Sequence, residues 1–282
     1  MKMKMKIDFH VHVTPPEIIK NWRKYAKKEK YFALLSKNPH NKYAVAEDVI
    51  AVLDESRFDR AVIFGFAFKD QGLCRFVNDY VIEKVRRFPG KLTGFISVSP
   101  NEKGAEKEIE RCYAAGLKGI GELYPDGQGF NIDDKKETHV LTGACIERNI
   151  PLILHVNEPV GHYYAGKNNI PLKKIEQFVI NSQNLKMILA HFGGGILFYE
   201  TMKEIKEKFR NVYYDTSATP FLYDSRIYNA VKALGLCEKI LFGSDFPLLP
   251  QLRYLPAMEE SALSAVEKQL ILGANAEKLL KC

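Results

Sequence analysis

Short runs rich in Val, Ile, Leu and Phe recur along the chain, separated by stretches whose apolar residues fall three and four positions apart. The runs are "IDFHVHV" (7–13), "RAVIFGFA" (60–67), "KLTGFISVSP" (91–100), "LKGIGELYP" (117–125), "PLILHVNEP" (151–159), "LKMILAHFGGG" (185–195), "NVYYDTSA" (211–218) and "KILFGSDFP" (239–247). Between them, Val77, Tyr80, Val81 and Val85 share one helical stripe, as do Leu172, Ile175, Phe178 and Val179. Nearly continuous apolar runs are what parallel strands buried on both faces look like. Eight strand–helix units therefore predict an α/β fold, a (β/α)8 barrel, whose functional groups come from the C-terminal strand ends and the loops after them.

No linker, repeat or low-complexity tract interrupts this pattern, so residues 1–282 are expected to form a single domain. The longest excursion is residues 14–44, ahead of a helix expected over Ala46 to Phe58. Connections this long are usually functional. With Trp22, Tyr25, Tyr31, Phe32, Leu34 and Leu35 the segment can bury its own apolar surface, which predicts a partly helical lid over the barrel mouth.

The first run carries the first candidate chemistry. Strand alternation puts Asp8, His10 and His12 on one face and Ile7, Phe9, Val11 and Val13 on the other. Adjacent imidazoles need partners for four ring nitrogens and repel when both are charged. A shared metal ion removes the conflict; two core histidines with separate partners are the plain alternative. Further candidates close other runs: Glu122 the fourth, His155 the fifth, His191 the sixth and Asp245 the eighth. His10, His12, His155 and Asp245 make a nitrogen and oxygen set suited to zinc and neighbouring divalent metals. Taken singly, His155 reads as a core histidine and Asp245 as a turn residue of "GSDFP". Asp8 could orient a ligand histidine from behind or simply pair with backbone. The loop "NEPVGHYYAGK" (157–167) brings Glu158, His162, Tyr164 and Lys167, which with Trp22 of the lid are candidate contacts to a polar or anionic small molecule. "GGG" at 193–195 suits either close backbone approach to a ligand or a tight turn.

Composition narrows the class. Hydrophobic residues at 46% and charged residues at 27% are ordinary for a globular enzyme. Cys74, Cys112, Cys145, Cys237 and Cys282 are scattered and show no CxxC spacing, which argues against a disulfide framework or thiolate zinc site and for a reducing, cytoplasmic setting. The start "MKMKMKIDFH" lacks the apolar core of a signal peptide, and no run approaches the ~20 apolar residues that span a bilayer. The net charge of +7 is mostly interleaved with glutamates, as in "EKEIER". The denser "WRKYAKKEKYF" (22–32) could meet an acidic ligand, but without a recognised motif neither nucleic acid nor membrane is expected as a partner.

"IDFHVHVTPP", "LILHVNEP", "ILAHFGGG" and "ILFGSDFPLL", with the tail "LILGANAEKLL", resemble the amidohydrolase superfamily across the whole chain, particularly its amidohydrolase-related branch of aminocarboxymuconate-semialdehyde decarboxylase-like enzymes. That resemblance implies a TIM barrel, with His10, His12, His155 and Asp245 as metal ligands and His191 as a catalytic acid/base or a second-metal ligand. "GIGE" makes Glu122 similar to a bridging ligand of the superfamily's deoxyribonucleases; no lysine stands at a comparable strand end. One divalent ion, with zinc expected, is favoured over two. The resulting expectation is a metal-dependent hydrolase of a small amide, ester or lactone, with Asp245 accepting the proton of a metal-activated water and His191 as acid. A nonoxidative decarboxylase on the same ligands is the alternative, and a non-catalytic metal-binding barrel the alternative of another class. A homodimer is as compatible with the sequence as a lone chain.

Overall fold

The computed structural model describes residues 5–37 and 42–281. Eight parallel strands appear where the apolar runs stand: β1 (Ile7–His12), β2 (Arg60–Phe64), β3 (Leu92–Gly94), β4 (Ile120–Leu123), β5 (Leu152–Leu154), β6 (Met187–Leu189), β7 (Val212–Asp215) and β8 (Ile240–Leu241). They pair in the order β1-β2-β3 and β4-β5-β6-β7-β8. Parallel bridges join these arcs on both sides, Ile96 to Ile120 and Val11 to Phe246. Ile96 N donates to Gly119 O at 2.8 Å, and His12 N to Phe246 O at 2.8 Å. The eight strands thus form the expected TIM barrel.

Alternate strand residues divide between two apolar layers. Val62, Phe64, Phe95, Ile153, Ile188 and Leu241 pack together in the barrel interior. Ala61, Ile63, Leu152, Leu154, Met187 and Leu189 pack outward in the layer shared with the helices. The two strands bearing the first candidate ligands break this alternation. In β1, Asp8 pairs with Ala61 but Val11 with Ile63, so Phe9 and His10 together face Val62. Such a bulge re-aims the side chains beyond it. Ile7 and Phe9 lie in the interior while Val11 and Val13 lie in the outer layer, so the simple alternation expected for this run is corrected.

Asp8 is separated from the histidines as a result. Its carboxylate accepts from Ser244 N at 2.9 Å, Ser244 Oγ at 2.5 Å and Gln251 Nε2 at 2.7 Å, and touches His10 only through the backbone N at 3.3 Å. It binds backbone and neighbours rather than an imidazole. Burial pushes its carboxyl up to about 6 against these hydrogen bonds. In β4, Ile120 pairs with Leu152 and Leu123 with Leu154, leaving Gly121 and Glu122 opposite Ile153. Gly121 has φ +130°, and a Cβ there would stand 2.6 Å from Ile153 O. Only glycine fits, and the bulge turns Glu122 into the barrel.

After β1 the chain forms α1 (Pro16–Lys20), α2 (Trp22–Ala26) and α3 (Lys30–Ser36). Residues 38–41 of the expected lid lie outside the described residues. Buried Glu29 accepts from Lys69 N at 2.9 Å and Asp70 N at 2.8 Å, fastening this segment to the loop after β2. The following helix, α4 (Ala46–Ser56), stops two residues before Phe58 because Arg57 adopts a left-handed conformation. The four described cysteines, Cys74, Cys112, Cys145 and Cys237, are free and buried. Among the described residues, no helix is long and apolar enough to cross a membrane.

Candidate metal centre

A cavity of about 430 Å³ opens at the C-terminal ends of the strands, with His12, Glu122, His155, His191 and Asp245 among its lining. His10 Nε2 lies 3.3 Å from His12 Nε2 and 3.8 Å from Glu122 Oε1. Asp245 Oδ1 lies 3.3 Å from His12 Nε2 and 3.7 Å from His10 Nε2, and Glu122 Oε2 is 3.6 Å from His12 Nε2. Atoms bound at ~2.0–2.2 Å around one tetrahedral ion stand roughly 3.3–3.6 Å apart. His10, His12 and Glu122 therefore could hold a single ion with little rearrangement, with Asp245 Oδ1 facing the same two imidazole nitrogens.

His155 falls into a neighbouring group. Its Nδ1 is 2.8 Å from Glu122 Oε1 and 3.2 Å from His191 Nε2, and His191 Nε2 is 3.8 Å from Glu122 Oε1. The arrangement is two overlapping triads, His10-His12-Glu122 and Glu122-His155-His191, sharing one carboxylate. The sequence expectation grouped His155 with His10, His12 and Asp245; the bulge at Gly121 instead places Glu122 between them.

The outer ring nitrogens show which way the lone pairs point. His10 Nδ1 donates to Asp215 Oδ2 at 2.8 Å, His155 Nε2 to Gly166 O at 3.0 Å and His191 Nδ1 to Ser217 O at 3.0 Å. Protons held on those atoms leave the opposite nitrogens as acceptors, each facing another acceptor. His12 Nδ1 has no partner among the described residues, while its Nε2 faces His10 Nε2, Glu122 and Asp245. Buried lone pairs facing one another and two carboxylates require a cation. The residues present fit a divalent metal.

Without one, protons take that place. Burial opposes charge on His10, but Asp215, Glu122 and Asp245 outweigh it and hold the imidazolium up to about 10. His155 is raised in the same sense, mainly by Glu122 against burial. Burial works against ionisation of Glu122, yet His155, His10 and His12 hold it well below the usual carboxylate range. Asp245 and Asp215 are likewise held low by the histidines around them, against burial.

The proposed substrate contacts divide. His162 and Tyr164 line the cavity, while Glu158, Lys167 and Trp22 do not. Tyr164 donates to Glu158 Oε2 at 3.0 Å and accepts from Asn157 Nδ2 at 2.7 Å, so Glu158 stands behind the wall. Lys167 Nζ is tied to the carbonyls of Val160 and His162, closing its own loop. Trp22 packs against the apolar core with the Arg23 guanidinium 4.6 Å over its ring. The lid reaches the cavity through Tyr31 and Leu35, Tyr31 stacking on Tyr124 at 3.7 Å.

Two further features position the site, and the first carries no sequence motif that singles it out. Asp215 closes the seventh run as the histidines close the first, but sits in an unremarkable "YDTS"; it also accepts from His191 N and Ser217 N, each at 3.0 Å. The glycine run forms a turn: Phe192 and Gly193 to Gly195 all have positive φ, and a Cβ on Gly194 would lie 2.2 Å from Asn157 O. That glycine is needed for backbone contact with the loop after β5.

Solved structures share this fold over nearly their full length. A 5-carboxyvanillate decarboxylase from Sphingomonas paucimobilis is 17% identical with a TM-score of 0.76, covering 98% of this chain and 99% of that one. A 5-carboxyvanillate decarboxylase from Novosphingobium aromaticivorans, complexed with manganese and 4-hydroxy-3-methoxy-5-nitrobenzoic acid, is 16% identical with a TM-score of 0.74, covering 99% and 96%. A dihydroxybenzoic acid decarboxylase from Polaromonas sp., with manganese and 2-nitroresorcinol, is 18% identical with a TM-score of 0.73, covering 99% and 97%. The model of the amidohydrolase family matches residues 7–282, so with its barrel, strand-end histidines and carboxylates this chain belongs to the amidohydrolase family.

Proposed function

We propose that this chain is a metal-dependent nonoxidative decarboxylase of a small aromatic or unsaturated carboxylic acid. The observation that carries the reading is an all-acceptor metal cluster at the base of an aromatic and aliphatic cavity, with no lysine or arginine among the described lining residues. Such a cavity offers the substrate carboxylate no lysine or arginine of the protein's own. Losing carbon dioxide relieves that poor fit, because interactions that favour the ionised ground state alone would slow the step. The fold neighbours named above are decarboxylases of this substrate class, two of them solved with manganese.

One ion held by His10, His12, Glu122 and Asp245 is the favoured loading. Its imidazole and carboxylate donors accept zinc and manganese alike. Such an ion polarises substrate oxygens and neutralises developing negative charge. Tyr31 and Phe66 are among the aromatic residues that line the cavity. When the carbon–carboxylate bond breaks, its electron pair stays on the substrate carbon, which must gain a proton. His191, with Nδ1 fixed by Ser217, would deliver that proton from Nε2 after that nitrogen has taken one up from solvent.

Hydrolysis, the reading first favoured from sequence, has one specific observation behind it. Asp245 is held ionised, as an acceptor of a water proton must be. The two reactions are separated by incubating manganese- or zinc-loaded protein with hydroxybenzoic acids and with esters and lactones, following carbon dioxide release and incorporation of oxygen from labelled water. Carbon dioxide without label in the organic product is the expected result. Label in a cleaved ester or lactone with no carbon dioxide from any acid would establish hydrolysis instead.

A further inference from the structure

The lid carries almost all of the molecule's net charge. Residues 14–44 contain Lys20, Arg23, Lys24, Lys27, Lys28, Lys30, Lys37 and Lys42 against Glu17 and Glu29, a net of +6 out of the chain's +7. All eight cations are exposed, and none forms an ion pair among the described residues. Glu29 is buried with both carboxylate oxygens occupied by backbone donors. The inner side of the same segment supplies Tyr31 and Leu35 to the cavity. Lys30 opens α3 and Lys28 and Lys37 flank it, on the same ~10 Å helical segment that carries Tyr31 and Leu35. The cavity itself has no lysine or arginine in its described lining.

We propose that the lid's cationic surface concentrates small organic anions at the cavity mouth, placing long-range capture outside a cavity whose described lining has no lysine or arginine. The anion's identity as a carboxylate substrate rests on the decarboxylase reading; the capture itself does not. Charges rimming an opening raise the local concentration of oppositely charged ligands and their rate of arrival, and salt removes the effect. Buried cations would instead hold the carboxylate in its ground state. Cations on the outer face of the lid attract without that penalty.

A test independent of turnover uses the single tryptophan. Trp22→Phe with Phe221→Trp moves the only indole to position 221, a cavity-lining residue that is 61% exposed. Quenching by iodide, normalised to neutral acrylamide, then reads the anion concentration at the mouth. The comparison protein adds Lys20→Gln, Lys27→Gln, Lys28→Gln and Lys30→Gln, four side chains outside the cavity. Taken at a representative ~15 Å, four unit charges screened over ~30 Å at 10 mM salt alter a monovalent anion's local concentration about threefold. The expected result is a normalised iodide constant about threefold lower in the lysine variant at 10 mM salt, the two proteins converging near 1 M. Equal constants at low salt, or a difference that salt leaves unchanged, would overturn the proposal. Failure of the decarboxylase reading would show separately, as absent carbon dioxide release with the iodide difference intact.

Discussion

Replacing Asp215 by Asn keeps shape and removes charge, and the structure fixes what that does. The carboxylate accepts on one oxygen from His10 Nδ1 and on the other from His191 N and Ser217 N. An amide has one acceptor oxygen and one donor nitrogen, so neither orientation serves both sides. With the amide oxygen toward His10, the nitrogen meets two backbone donors. With the nitrogen toward His10, the ring must move its proton to Nε2, the atom that faces His12, Glu122 and Asp245. An orphaned buried donor costs about 1–3 kcal/mol, or about 2 °C of melting temperature per kcal/mol in a chain of this length. The second orientation lowers metal affinity about 10–100-fold, the usual scale for losing a partner behind a ligand histidine. Competition with a chromogenic chelator measures affinity, and circular dichroism checks the fold. An Asp215→Asn protein that is as stable as wild type and binds manganese equally well would refute the orienting role.

His191→Asn should leave one metal equivalent bound and lower turnover by roughly 10²–10⁴; loss of a second equivalent in metal analysis would show instead that His191 binds an ion. Metal affinity should rise with pH through the neutral range. His10 is held protonated in the metal-free protein, so the ion must displace that proton, about tenfold in affinity per pH unit. A chelator titration that is flat between pH 6 and 8 would contradict this. Gly194→Ala should destabilise by at least ~1–2 kcal/mol, from a left-handed alanine and a Cβ 2.2 Å from Asn157 O. Gly143→Ala, in the helix Lys135–Arg148 with nothing near its Cβ, should gain ~0.5–1 kcal/mol; thermal melts showing the same shift for both would remove the packing argument.

Much of this organisation could be read from residue patterns, and the failures have physical causes. The eight strands follow from apolar runs because both faces of a parallel barrel are buried. Strand-end chemistry followed too, since His10, His12, Glu122, His155, His191 and Asp245 each close a run. The bulges at Phe9-His10 and Gly121-Glu122 were illegible, because a bulge is defined by the register of the partner strand. They decide that Asp8 leaves the site and Glu122 joins both triads. Asp215 was hidden because its role depends on a partner 205 positions away. In the lid, aromatic composition alone could not tell Trp22 from Tyr31. Density of titratable groups likewise overrated Lys167 and Glu158, which serve their own loop.

The central claim is that the histidine and carboxylate cluster holds one divalent ion at the cavity base. Anomalous diffraction from crystals grown with manganese tests it most directly, because the signal marks the ion without reference to the protein around it. The account predicts one peak bonded to His10 Nε2, His12 Nε2, Asp245 and Glu122, at close to the ~2.0–2.2 Å typical of such ligands, with His191 unbound. Two peaks bridged by Glu122, or a peak held by His155 and His191 without His10 and His12, would contradict it.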